Sequence, residues 1–368
     1  MGESMGKSIE NLRVAVVDAI PRGGILQFSA QLHKSLLSLG CTSRLWVPEG
    51  SVLDEETEAT RYARHQSFNW KNRDIRQLEK SIRSFDPDLV MLTNKGLVTS
   101  QLELNIGDIP TFQFVHDPTP HPSTGHYLRD FKALLCVPYQ SAALKRCKRV
   151  VLLSRSSKEK FDRLHPELAG KSDVLRLGAH VPDAEPVVPQ ELAEAGIADP
   201  FFLFFGRIDT YKGIDRLIEA YCASPCTHRL VIAGKGEIPG HDLEMARQDE
   251  RVVLLNRFIA DGEMVWLFQH ALATVLPYIE ASQSGVLPIS YYFSVPVIAS
   301  RLHEFEEYVV EGQTGLFFDD RDSLIKTLTS FDESGTPHAM RDGAKEFERA
   351  NLSWDAGLSR LLHAYLED

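Results

Sequence analysis

Five cysteines, an odd number in no paired pattern, are all that the 368 residues offer. A disulfide framework is therefore excluded, and a reducing, cytoplasmic setting is expected. Cys222 and Cys226 alone have suggestive spacing, but without two further cysteine or histidine ligands they read as ordinary thiols rather than a zinc site. No apolar run approaches the roughly 20 residues of a membrane helix. The polar start, Met1 to Asn11, lacks the apolar core of a signal peptide. Positive charge is also scarce. A formal net charge of −11 argues against a nucleic-acid partner, whose phosphate path would need lining with cations. The Gly-x-Gly-x-x-Gly fingerprint is missing, which disfavours a nicotinamide or flavin enzyme. No aspartate-rich metal motif is evident, and no metal is expected. One dense basic run exists, with Lys145, Arg146, Lys148 and Arg149. Such runs are mostly solvated helix faces, and on a peripheral enzyme they also suit an anionic membrane surface at the inner face of the membrane.

What is present is a globular composition, 43% hydrophobic and 25% charged, in a chain long enough for two cores. Strand and helix patterns alternate. Strands are expected at Leu12–Asp18, Arg44–Val47, Leu89–Thr93, Thr111–His116, Arg149–Ser154 and Asp173–Leu177. A second set follows at Phe201–Phe205, Leu230–Ala233, Val252–Leu255, Ala273–Leu276, Pro296–Ala299 and Gly315–Phe317. Helical spacing of Phe28, Leu32, Leu36, Leu37 and Leu39 follows the first strand. This grammar predicts an α/β protein of two Rossmann-like doubly wound domains facing one another across a cleft. Val181 to Pro189 carries three prolines in nine residues and reads as the linker. The expected domains are therefore 1–182 and 183–343.

Ligands of such sheets bind beyond the carboxyl ends of strands, so the loops there matter most. After the five apolar residues Phe201–Phe205 come Gly206, Arg207, Lys212 and Gly213, then a helix marked by Ile214, Leu217, Ile218 and Tyr221. Two cations at a strand-to-helix turn suit a diphosphate, although a solvated loop would look the same. Gly23 and Gly24 precede the first helix, and Gly234-Lys235-Gly236 follows the Leu-Val-Ile-Ala strand; glycines there admit close backbone approach. His116, with Asp117 and His121 behind it, ends another strand and could donate to a sugar hydroxyl or take a proton. Glu280 begins a stretch with Ser282, Gln283, Ser284, Gly285 and Val286, which suits a second anion or sugar cradle; Glu280 could accept hydrogen bonds from ribose or sugar hydroxyls.

The order Gly23-Gly24, Phe-Phe-Gly206-Arg207 with Lys212-Gly213, Ile-Ala-Gly234-Lys-Gly236, Leu-Pro-Tyr with Gln-Ser-Gly285, Val-Pro-Val-Ile-Ala-Ser, then Glu307 and Gly312-Gln-Thr-Gly315 resembles the family 4 retaining glycosyltransferases of GT-B fold. The variant is similar to a bacterial polysaccharide-assembly branch. The resemblance implies a UDP- or GDP-linked sugar held by the C-terminal domain, with Arg207 and Lys212 on its diphosphate, Gly23-Gly24 near it, and His116 beside the transferred sugar. It also implies metal-independent transfer of a hexosyl group to an alcohol with retention, with no cofactor. The acceptor, a sugar or lipid-linked sugar, would lie mainly on the N-terminal domain. A donor phosphate oxygen would take the acceptor proton. The pattern Ala344 to Leu366, with Trp354, Leu358, Leu361, Leu362 and Tyr365, corresponds to a terminal helix (344–368) that crosses back to the N-terminal domain in relatives. One departure stands out: relatives carry two glutamates eight positions apart, and eight positions beyond Glu280 stands Pro288. A nucleotide-sugar epimerase of the same fold and a non-catalytic partner subunit remain the alternatives. Neither the oligomeric state nor the donor sugar is legible.

Overall fold

In the computed structural model, which describes residues 8–21, 23–53, 59–62, 73–118, 138–197, 200–281, 284–334 and 338–367, the apolar segments become parallel strands and the amphipathic ones helices. The chain divides into two units, 1–176 with 354–368, and 177–353. The first holds β1 (Arg13–Val17), β2 (Thr42–Pro48), β3 (Ala59–Tyr62), β4 (Leu89–Leu92), β5 (Thr111–Val115), β6 (Arg149–Leu152) and β7 (Ser172–Val174). Their order is β3-β2-β1-β4-β5-β6-β7, and every pairing is parallel. Chain direction across the sheet reverses between β1 and β4, which opens a crevice at their carboxyl ends.

The second unit repeats the plan. Its strands are β8 (Phe201–Phe205), β9 (Leu230–Ala233), β10 (Val252–Leu255), β11 (Ala271–Leu276), β12 (Val297–Ser300) and β13 (Gly315–Phe318), in the parallel order β10-β9-β8-β11-β12-β13. Its switch lies between β8 and β11. Strand period explains the apolar run of β8: Phe201 and Leu203 pack in one layer with Leu267 and Phe268, while Phe202 and Phe204 pack in the opposite layer with Leu217, Ile218 and Tyr221. Each fully buried Phe contributes about 1.5–3 kcal/mol. Both sheets agree with the doubly wound α/β expectation, and each expected strand is present with ends displaced by a few residues.

Two differences are instructive. Strand β3 was not expected, because a four-residue edge strand presents no apolar run. The pattern 344–366, expected as one helix, is broken. Helix His338–Phe347 passes into a π-helical turn at Glu348–Leu352, extended Ser353 ends it, and helix Trp354–Glu367 begins anew. The break lets Ala344 and Leu352 join the core of the second unit, while Trp354 packs on Phe28 of the first with ring centroids 5.3 Å apart. Tyr365 meets Phe112 at 5.3 Å, and Arg360 donates to the Val174 carbonyl. The proline-rich segment 181–189 has no regular structure, and Val187 N–H donates to the Gly262 carbonyl.

Trp354 is buried, and truncating such a ring leaves a cavity among its aromatic neighbours. Trp354→Ala is expected to destabilise the first unit by about 3 kcal/mol, read as a lower denaturant midpoint. An unchanged midpoint would show that the terminal helix contributes nothing to that core.

Candidate functional site

In the second unit the switch point is built from backbone pressed on backbone. Gly206, at φ +102°, leaves β8 with its carbonyl directed at Gly234, where a Cβ would stand 2.0 Å from that oxygen. Gly236 stands in the same relation to the Ile208 carbonyl, and Ile208 N–H donates to the Lys235 carbonyl. The chain beyond β8 and β9 therefore stays paired for two more residues. The Asn256 side chain closes this corner, accepting from Gly236 N–H and donating to its carbonyl.

The turn Thr210–Lys212 follows, ended by Gly213 in the left-handed region at φ +63°. A Cβ on Gly213 would meet the Pro277 carbonyl at 2.0 Å, and Ile279 N–H donates to the Tyr211 carbonyl. These contacts join the loops beyond β8 and β11, the two strands flanking the switch. Lys212 is thereby folded inward. Only 7% of it is exposed, and Nζ lies 5.2 Å from the centroid of the Tyr278 ring and 6.0 Å from that of Phe204. The ammonium makes no hydrogen bond or ion pair among the described residues. Burial pushes its pKa below the ordinary lysine value, and the Arg207 charge adds to the depression while Tyr211 and Asp209 oppose it. Gly206 is glycine partly for this lysine, since a Cβ there would lie 3.0 Å from Nζ and 3.6 Å from Val286.

Arg207 points the other way, 72% exposed at its side chain, with Nη2 3.0 Å from Asp209 Oδ2. It borders a cavity of about 750 Å³ together with Gly206, Gly234 and the segments 235–237 and 257–259. Phe258, 80% exposed, stands at this cavity. The neighbouring Arg257 is not a free cation: its guanidinium is held by the carboxylates of Glu191 and Glu263. Of the loop beyond β11, Ser284 Oγ lies 3.5 Å from Tyr278 OH, and Gly285 caps helix Val286–Tyr292 with open space where a Cβ would be. Glu280 is exposed and makes no hydrogen bond or ion pair among the described residues. Pro288 is buried in the first turn of helix Val286–Tyr292, where a missing N–H costs nothing. Ser282 and Gln283 lie outside the described residues.

In the first unit, Gly23 (φ +90°) caps helix Gly24–Ser38, and nothing lies within 4 Å of a Cβ on either Gly23 or Gly24. The first intrahelical bond runs from Gln27 N–H to the Gly23 carbonyl, so the preceding amides lack helical acceptors. His116, at the end of β5, donates from Nε2 to the Thr93 carbonyl at 2.7 Å and packs edge-on against Phe28. Because a carbonyl only accepts, the neutral ring carries its proton on Nε2, and Nδ1 is an acceptor. This favours the accepting role over the donating one that the sequence left open. Arg22 and His121 lie outside the described residues. Sequence reasoning missed two features: Phe258, whose signal is a large apolar residue in the polar turn after β10, and Asp18, an acid ending an apolar strand.

Burial holds the pKa of His116 down to about 4 from its ordinary 6.5, against the opposing Thr93 hydrogen bond. Between those values the unfolded chain binds a proton that the native ring does not, so this contribution to stability is complete above about pH 6.5 and is lost as pH falls towards 4. Denaturation curves across that range should show a shallower loss for His116→Gln than for the parent. Equal slopes would mean that the ring is not held neutral.

The family described as Glycosyltransferase Family 4 matches residues 22–178, and Glycosyl transferases group 1 matches residues 199–331. No curated protein sequence matches the chain. Among solved structures it is similar to Anabaena HepE in complex with UDP and glucose, at TM-score 0.73 and 15% identity over 97% of this chain and 100% of that one. A glycosyltransferase from Rickettsia africae gives TM-score 0.73 and 17% identity over 97% and 98%. Sucrose-phosphate synthase from Thermosynechococcus elongatus gives 0.68 and 16% over 97% and 99%. Such identities speak to the fold alone, which is GT-B.

Proposed function

The chain belongs to the family 4 glycosyltransferases of GT-B fold, and we propose that it moves a hexosyl group from a nucleoside-diphosphate sugar to an alcohol, retaining the anomeric configuration. The observation that carries this reading is Lys212: a nearly buried ammonium with no hydrogen-bond or ion-pair partner among the described residues, behind Gly206 at the switch between β8 and β11. An unpaired buried cation is costly, and a diphosphate is the partner that would make it worthwhile. As the glycosidic bond breaks, charge accumulates on the departing diphosphate. A fixed ammonium stabilises that charge more than it does the ground state, without reorganising at the moment of reaction. Arg207, exposed at the cavity rim beside Asp209, adds a second charge, so the reaction needs no metal. The cavity lined by Phe258 suits the nucleoside, its aromatic face offering a stacking surface. HepE, of the same fold, has been seen with UDP and with UDP-glucose.

On the first unit, His116 Nδ1 suits a hydroxyl donor such as that of a sugar, and the free amides that open helix Gly24–Ser38 suit an anion. The acceptor is a sugar or lipid-linked sugar in polysaccharide or glycoconjugate assembly. Of the basic run, the exposed Lys145, Arg146 and Lys148 provide contact with an anionic membrane, whereas Arg149 is held by Asp173 and the Ala364 carbonyl; no helix among the described residues is long and apolar enough to cross a membrane.

The test is a screen of UDP-, GDP- and ADP-sugars by thermal shift, followed by nucleotide release with candidate acceptors. A donor at 100 times its Kd should stabilise the protein by about 2.7 kcal/mol, and release should need acceptor. Isomerised donor without acceptor would turn the reading to an epimerase. No shift with any sugar nucleotide would overturn it.

A further inference from the structure

One buried side chain that has no place in the reaction above is bonded both to the segment before helix Gly24–Ser38 and to the segment beside the Thr93 carbonyl that holds His116. Asp18 is completely buried at the carboxyl end of β1. Its Oδ1 accepts from Ile20 N–H at 2.8 Å and from Asn94 Nδ2 at 2.7 Å, and its Oδ2 accepts from Ser29 Oγ at 2.8 Å. Ile20 lies three residues before Gly23, the cap of helix Gly24–Ser38, and Ser29 lies on that helix. Ser29 Oγ is also 2.7 Å from Thr93 Oγ1, and the Thr93 carbonyl is the acceptor for His116 Nε2. From β5, Gln113 Nε2 donates to the Asn94 carbonyl at 2.7 Å.

Burial raises the pKa of Asp18, and the surrounding donors oppose the rise. A buried acid seldom justifies itself by stability, because apolar residues of equal volume cost less to bury. What this network does supply is fixed geometry. Its bonds run to Ile20 after β1, to helix Gly24–Ser38 and to Asn94 after β4, and so tie the carboxyl ends of paired strands to the helix that follows β1.

We propose that Asp18 is a positioning residue: through Ser29, Thr93 and Asn94 it sets the height of the Thr93 carbonyl, which fixes the His116 ring with Nε2 protonated and Nδ1 available, and through Ile20 it seats the Gly23–Gly24 turn. Asp18 touches no substrate. Its effect on turnover rests on the glycosyl-transfer reading; its effect on the ring does not.

The experiment records ¹⁵N spectra of the histidine side chains in the parent, in Asp18→Asn and in Ser29→Ala, with kinetics on the same samples. The parent should show His116 as the Nε2–H tautomer. In Asp18→Asn that signature should give way to a mixture with Nδ1–H, and kcat should fall roughly ten- to hundredfold while KM for the donor stays within about twofold. Ser29→Ala removes only the hydroxyl between Asp18 and Thr93, and should shift the same resonances in the same direction. If Asp18→Asn does not fold, Ser29→Ala decides. A folded variant with the parental imidazole signature overturns the proposal. An altered ring in a protein that turns over no sugar nucleotide would instead remove the glycosyl-transfer reading and leave the positioning role standing.

Discussion

Lys212→Met is expected to yield a folded protein at least as stable as its parent without ligand, yet slower in sugar transfer by about 10²–10³. The two effects share one cause. The ammonium lies over the rings of Phe204 and Tyr278 with no hydrogen bond or ion pair among the described residues, so in the native state its desolvation is only partly offset, by those rings and by the Tyr211 and Asp209 charges. Methionine keeps an unbranched stem of similar volume and removes the charge, which makes the substitution neutral or stabilising in the resting protein. With a diphosphate in place the comparison reverses, since a buried cation interacts strongly with charge developing beside it. Arg207→Ala should cost less, because its side chain is largely solvated and already shared with Asp209. Melting temperature with and without donor, beside kcat, measures both halves. Near-parental turnover, or a clear loss of resting stability, would remove Lys212 from the leaving-group role.

The doubly wound plan was legible because strands buried on both faces need continuous apolar runs, as in Phe201–Phe205 and Leu230–Ala233, and such runs survive in a linear reading. Strand β3 was not, since edge pairing asks nothing of its side chains. Site residues were legible as positions and not as environments. Lys212 and Arg207 look alike in the sequence, two cations in one turn, and only packing against Tyr278 and Phe204 makes one buried while the other stays exposed beside Asp209. Gly234 and Gly236 drew attention as places where a ligand could approach, whereas the groups that approach them are the carbonyls of Gly206 and Ile208. Asp18 was invisible as a hub because its partners are Ile20, Ser29 of the next helix and Asn94 beyond β4, which nothing local relates.

Gly213→Ala should be among the most damaging single-residue changes to the second unit, with an expected loss of about 3 kcal/mol or more. Two costs add. An alanine held at φ +63° gives up roughly 1–2 kcal/mol in the left-handed region. Its Cβ would also lie 2.0 Å from the Pro277 carbonyl oxygen, a backbone atom that cannot rotate aside. Relief requires the turn to move from the loop beyond β11, which breaks the bond from Ile279 N–H to the Tyr211 carbonyl and displaces the adjacent Lys212. Donor binding should therefore weaken together with stability. Gly23→Ala is the comparison: at φ +90° and ψ −172° it bears a conformational cost of about 1–3 kcal/mol, but with nothing within 4 Å of the new atom it adds no clash. Denaturant midpoints for the two variants test the difference directly. Equal losses would mean that the Pro277 contact yields without cost, and the rigid seat argued for Lys212 would go with it.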